Sequence, residues 1–249
     1  MVHGIGLELY KLRSRKDVRL ILLVISVFYL VMVGVTAIKP AYFGTKFMVE
    51  NSFSTLQFIP LIVMVFAADM MSSEFQQGTI KNLIIAAKSR LQIIASKAVA
   101  LIIVIGLMYL GIFFLDTIVS GALFHEAFQS IIMKDTFLWI LGSAFETLLL
   151  GSFVFFLSVI SKTPAIPVAI GVLVYLMVGL IDGANFSLIA KLSLLKWNIV
   201  NMLNFKAQLI SHSLQTQTGL SITNFVVGIV VYVALFLVAS YLVFKNKSV

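Results

Sequence analysis

Few side chains in this 249-residue chain are placed to do chemistry, and Glu146 stands first among them. It falls near the middle of a long apolar run, with Gly142 one turn before it and Ser143, Thr147 and Gly151 in a small-polar stripe beside it. A carboxylate at such a depth costs a few kcal/mol, so it must face protein or water or carry a proton. Two readings stay open: Glu146 belongs to a translocation path or proton relay, or it is a protonated side chain bonding a neighbouring helix across a small-residue seam. Within the runs, no Lys, Arg or second acid offers itself as its partner.

Other chemistry is poorly represented. His3, His125 and His212 are far apart, and His125-Glu126 has no second His at zinc-site spacing, so no metal site is expected. Cysteine is absent, which removes disulfides, thiolate ligands and a Cys nucleophile. There is no G-x-S-x-G elbow and no paired acids within an apolar run. Gly44-Thr45-Lys46 lacks the upstream glycine of a phosphate-binding loop, so the chain is not expected to hydrolyse ATP itself. The expectation is a non-enzyme that binds no cofactor.

The elements that carry these residues follow from composition. The chain is 61% hydrophobic and 11% charged, with mean hydropathy +1.09. That is too little polar surface to cover a water-soluble globule, and the apolar residues lie in long blocks. Six blocks of helical span length run over 20–38, 53–68, 91–115, 136–160, 166–181 and 225–244. Barrel strands would be shorter and strictly alternating. The net charge of +8 clusters beside the blocks, which points to membrane topology and not to nucleic acid. With the N terminus inside, the inner segments hold twelve Lys/Arg and the outer ones six. Both termini are therefore expected in the cytoplasm of a multi-pass plasma-membrane protein, without a cleavable leader. Lys97, just inside the third block, is expected to snorkel to the inner interface.

Between the blocks, residues 1–19 read as a basic interfacial helix with Ile5, Leu9 and Leu12 on one face. The outer connection 182–224 is apolar in its first half, which two short re-entrant helices would explain, while 208–223 reads as loop. Tyr29, Tyr109, Trp139 and Tyr241 read as interface anchors or packing residues.

The longest polar interruption is Asp69 to Lys97, on the inner side. Ile80, Leu83, Ile84 and Ala87 follow helical spacing, so an amphipathic helix is expected at the membrane surface, its polar face open to water or a partner.

This stretch resembles the inner loop of ABC-2-type transporter permeases. The resemblance rests on Glu74, Gly78-Thr79, Lys81, Leu83-Ile84, Ser89-Arg90 and Lys97, with Ala87-Lys88 where relatives often carry a proline before the Ser-Arg pair. It implies one all-α transmembrane domain over residues 1–249, with six spans, an N-terminal interfacial helix, a cytoplasmic coupling helix and re-entrant pieces before the last span. It further implies a permease that pairs with a second permease chain and receives a separate ATPase subunit, which would bind ATP and magnesium. The coupling surface it implies comprises Ser73, Glu74, Gln77, Gly78, Thr79, Lys81, Asn82, Lys88, Ser89 and Arg90. Small permeases of this type resemble Gram-positive exporters of amphipathic peptides, toxins or hydrophobic compounds. The competing readings are a proton-coupled secondary transporter using Glu146 and a membrane immunity protein that binds peptide without moving it.

Overall fold

A computed structural model describes residues 2–14, 16–87, 89–124 and 130–247. The described residues are helical and turn structure without a strand. In chain order the helices are α1 (Val2–Ser14), α2 (Lys16–Ile38), α3 (Thr45–Glu50), α4 (Ile59–Gln76), α5 (Ile80–Ala86), α6 (Arg90–Leu123), α7 (Ser130–Ile160), α8 (Ala165–Lys191), α9 (Ile199–Met202), α10 (Phe205–Ile210), α11 (Gln215–Thr218) and α12 (Ile222–Asn246). Six of them, α2, α4, α6, α7, α8 and α12, are long and apolar enough to cross a membrane, which marks a multi-pass membrane protein.

Two helices form the core. The spans of α4 and α7 are 67% and 61% buried, whereas those of α2, α8 and α12 bury less than a fifth of their residues. α7 is the hub, with α4, α6, α8, α10 and α12 packed against it. Its Leu149, Leu150, Val154, Phe155 and Val159 meet Val63, Met64, Ala67 and Met71 of α4 in one continuous apolar cluster. The outer faces of the remaining helices are leucine, isoleucine and valine open to the surroundings, as lipid contact requires.

Local signals set the helix ends. Pro60 sits in the first turn of α4, where its missing N–H costs nothing. Ser89 caps α6 by accepting the Gln92 N–H, and Ser221 caps α12 by accepting the Asn224 N–H. Gly78 takes a φ of 70° between α4 and α5, a left-handed turn that a side chain would strain.

Several helices run past their apolar blocks. α4 begins at Ile59 and not at 53, because residues 52–58 form turns, and it continues to Gln76 and not 68. The polar interruption thus starts at Gln77; Met70, Met71, Ser72 and Glu74 are buried helix. α6 runs to Leu123 instead of 115, which brings Asp116 into the bundle. α8 extends to Lys191 instead of 181 and carries Asp182 and Asn185 with it. The connection after it holds short helices, as expected, but residues 208–223 are not loop: α10 and α11 take up much of them.

Candidate functional site

Two polar constellations stand out in the bundle. The first gathers α1, the end of α4, α5 and the start of α6. Amphipathic α1 lies along α6. Two of its charged side chains, Glu8 and Lys11, meet two from the long helices. Lys97 donates to Glu8 Oε1 at 2.8 Å, and its ammonium lies 3.7 Å from Glu74 Oε1. Lys11 donates to Glu74 Oε1 at 2.6 Å and lies 3.6 Å from Glu8. The Thr79 hydroxyl donates to Glu74 Oε2. Positive and negative groups alternate, so the knot carries no net charge.

Lys97 is 1% exposed and does not snorkel to an interface. Its desolvation is offset by two carboxylates at once, the condition under which a buried charge is tolerated. For Lys11, partial burial works to lower the pKa, but the hydrogen bond it donates to Glu74 and the charges of Glu8 and Glu74 outweigh it and hold the ammonium above the ordinary lysine value.

Beside the knot, Arg90 closes a second clamp. Its guanidinium donates to the carbonyls of Phe244, Lys245 and Lys247 at 2.7, 2.8 and 2.9 Å, satisfying the free C-terminal acceptors of α12. Lys247 donates in turn to Val159 O at 2.8 Å, and its ammonium lies 3.7 Å from the centre of the Phe75 ring. Burial and the nearby Lys162 lower the Lys247 pKa.

The residues expected to form one coupling surface therefore divide. Glu74, Thr79 and Arg90 turn inward and hold helices together. Ser73 is half-buried and donates to the Asp69 carbonyl of its own helix. Gln77, Gly78, Lys81, Asn82 and Ser89 are exposed, and Lys88 lies outside the described residues. The exposed set includes a residue not singled out from sequence: Ile85 on α5, 83% exposed. Together with Gln76 these form a knuckle, a polar turn followed by one helical face bearing Lys81, Asn82 and Ile85.

The second constellation surrounds Glu146. Its Oε1 accepts the backbone N–H of Lys206 at 2.9 Å, in the first turn of α10, and its Oε2 lies 3.8 Å from the Lys206 ammonium. The same ammonium sits 5.5 Å from the Trp139 ring centre. Glu146 thus has a cationic partner, contrary to the expectation of an isolated acid. Lys206 comes from the connection between α8 and α12, on a short helix folded back against α7. Gly142 makes that approach possible, because a Cβ there would fall 2.7 Å from the Lys206 Cα. Tyr109 shares a hydrogen bond with Thr147 at 2.6 Å and donates to Ser143 O at 3.1 Å, so it is a polar cross-link within the bundle and not an interface anchor. Asn204 donates to Asp182 at 2.8 Å and fixes α10 to α8 from the other side.

Among the described residues no three His, Cys, Asp or Glu side chains come together as metal ligands. His125 and Glu126 lie outside the described residues. The knot joins an exposed knuckle to two long helices, and the Glu146 contact holds α10 against α7.

The chain belongs to the family described as protein of unknown function (DUF2705), whose model matches residues 20–249. No curated protein matches it.

Proposed function

We propose that this chain is the permease subunit of an ATP-driven exporter of the ABC-2 type, worked through the α4–α5 knuckle by a separate ATPase subunit. The observation that carries this reading is the pairing of an exposed knuckle with a buried charged knot. Gln77, Gly78, Lys81, Asn82 and Ile85 stand free for a partner, and directly behind them Glu74 is tied to Lys11 and Lys97. A push on the knuckle is transmitted by charge-assisted contacts, which hold their geometry better than apolar ones. It would reach α1, α4 and α6 together. The chain has no phosphate-binding loop, so the energy would come from the partner's ATP and magnesium.

Ile85 is the anchor of the docking surface, an apolar side chain for a pocket, with Lys81 and Asn82 as its polar rim. The resemblance of the Glu74–Lys97 stretch to ABC-2 permeases supports the assignment. It also supports a second permease chain as partner, both termini on the cytoplasmic side, and an amphipathic peptide or hydrophobic compound as cargo. Glu146, which holds α10 through a backbone amide, has a positional role in this reading and not that of a proton carrier.

Reconstitution tests the proposal. Liposomes holding the purified chain alone should move no candidate peptide under an imposed proton gradient. Liposomes holding it with its co-purified ATPase should move peptide only with ATP. Proton-driven movement by the chain alone would overturn the proposal in favour of a secondary transporter.

A further inference from the structure

The surface of α2 has no part in the reading above. Its backbone is approached by α1 at its start, and by α3 and the 52–54 turn in its second half. Along its middle, Ile21 and Ile25 reach across to Ile62 and Phe66 of α4 and to Val104 and Met108 of α6. Beside that bridge a slot of about 520 Å³ stays open between the three helices.

The slot is apolar. Tyr29, Thr55 and Ile59 form its buried floor, and Leu22, Leu30 and Leu107 its exposed rim. Two of its three hydroxyls are already engaged: Tyr29 donates to Asp116, and Ser26 donates to the Leu22 carbonyl of its own helix. The third, on Thr55, is wholly buried. From Leu22 to Leu30 the slot follows roughly 12 Å of α2. Over that length its section averages roughly 40 Å², too narrow to take in a helix about 10 Å across. A hydrocarbon chain is thin enough.

One end of the slot is charged. Arg19 stands one turn before Leu22, on the face that also carries Ser26 and Leu30. Lys16 is one turn further back, and both cations are exposed. The Arg19 guanidinium reaches back to the Ser14 carbonyl at 3.5 Å, the long limit of a hydrogen bond. Its charge therefore sits at the start of α2, past the apolar walls. Arg19 and Leu30 are roughly 16 Å apart along the helix, about half the hydrocarbon thickness of a bilayer and so the depth of one leaflet.

A narrow apolar slot one leaflet deep, open along its rim and with two cations at its mouth, matches a phospholipid in both shape and charge. The cations select an anionic headgroup, because a zwitterionic one brings no net charge to them. We propose that the slot between α2, α4 and α6 holds an acyl chain of an anionic phospholipid whose headgroup is bound by Arg19 and Lys16. The chain would act as a wedge that fixes α2 to α4 and α6.

Native mass spectrometry of the purified full chain tests this, with the delipidated protein titrated in detergent with phosphatidylglycerol or phosphatidylcholine. Phosphatidylglycerol should bind once per chain, on the order of tenfold more tightly than phosphatidylcholine. Lys16→Gln/Arg19→Gln, a change confined to exposed side chains, should bring the two lipids to equal affinity. Gly111 lines the slot, and a Cβ there meets nothing within 4 Å. Gly111→Leu should therefore fill the slot and weaken binding of both lipids while keeping the native melting midpoint in lipid-free detergent. Equal binding of the two lipids by the native chain would overturn the site, and so would a preference that survives loss of both cations. Phosphatidylglycerol binding that Gly111→Leu leaves at native strength would assign the lipid to the basic surface alone and overturn the slot. Lipid-free dimers that Gly111→Leu separates would give the slot to a second copy of the chain and overturn it equally.

Discussion

The Lys97 ammonium lies 2.8 Å from Glu8 Oε1, joining the N-terminal amphipathic helix to the core side of α6 across 89 residues of sequence. Because Lys97 is buried and also faces Glu74, removing it leaves Glu8 and Glu74 to share Lys11 as their cation. Lys97→Met should destabilise the chain by about 3–5 kcal/mol. The double variant Lys97→Met/Glu8→Gln should lose markedly less than the two single changes summed, since each single change exposes the other partner's desolvation cost. A double-mutant cycle by denaturant unfolding in detergent measures this. Additive losses would mean that the two charges do not interact.

The Lys11–Glu74 contact gives an alkaline signature. The Lys11 pKa is raised in the folded state, so its contribution to stability is complete below the ordinary lysine value of about 10.5 and is lost as pH climbs through the raised value. The melting midpoints of the native chain and Lys11→Met should therefore differ at pH 8 and converge above that window. The gap should be modest, because the Lys11 side chain is 45% exposed.

Arg90 holds three carbonyls at the end of α12. Arg90→Ala should fray that end and cost about 1.5–3 kcal/mol, the range for hydrogen bonds to a charged group. Arg90→Lys should recover only part, since its nitrogen sits one bond nearer the backbone than the Nη1 that meets all three carbonyls. Faster proteolytic trimming after Phe244 reports the fraying. For the same reason, charge reversal at Arg90 or Glu74 tests helix packing first and partner docking only indirectly.

Glu146 and Gly142 both govern the docking of α10. Glu146→Ala leaves the Lys206 N–H without its acceptor, a loss of about 1–3 kcal/mol, while Glu146→Gln keeps a carbonyl oxygen for it. Gly142→Ala drives a methyl into the Lys206 backbone. The chain has no cysteine, so Leu209→Cys places one thiol on α10 against a silent background. Maleimide labelling should accelerate in the Glu146→Ala and Gly142→Ala backgrounds and stay near its starting rate with Glu146→Gln.

The six long helices were legible because lipid-facing surface demands apolar runs, and no partner is needed to see one. Their ends were less so. Asp69 to Glu74 reads as polar loop by hydropathy, yet it is helix, because Glu74 is neutralised by Lys11, 63 residues away. Asp116 likewise reads as the end of a span until Tyr29, 87 residues distant, is placed against it. Glu146 stood out as costly, but its partner Lys206 lies in a connection whose fold-back depends on a missing side chain at Gly142. Charges inside a helix bundle are read from pairs, and pairs distant in sequence leave no local pattern. Of the expected coupling residues, spacing found the polar turn but could not separate the side chains that face in from those that face out. Lys97 was the nearest to a usable signal, a cation inside an apolar block with Glu8 waiting on an amphipathic helix.

The central claim is that another subunit's nucleotide cycle works this chain through Ile85 and its neighbours. Affinity purification of the tagged full chain from native membranes in mild detergent, followed by an ATP hydrolysis assay of the eluate, tests it most directly. ATP hydrolysis should appear in the eluate and be lost with Ile85→Asp or Lys81→Glu, while both variants reach the membrane at normal levels. An eluate without ATP hydrolysis, or hydrolysis that both variants leave untouched, would contradict it.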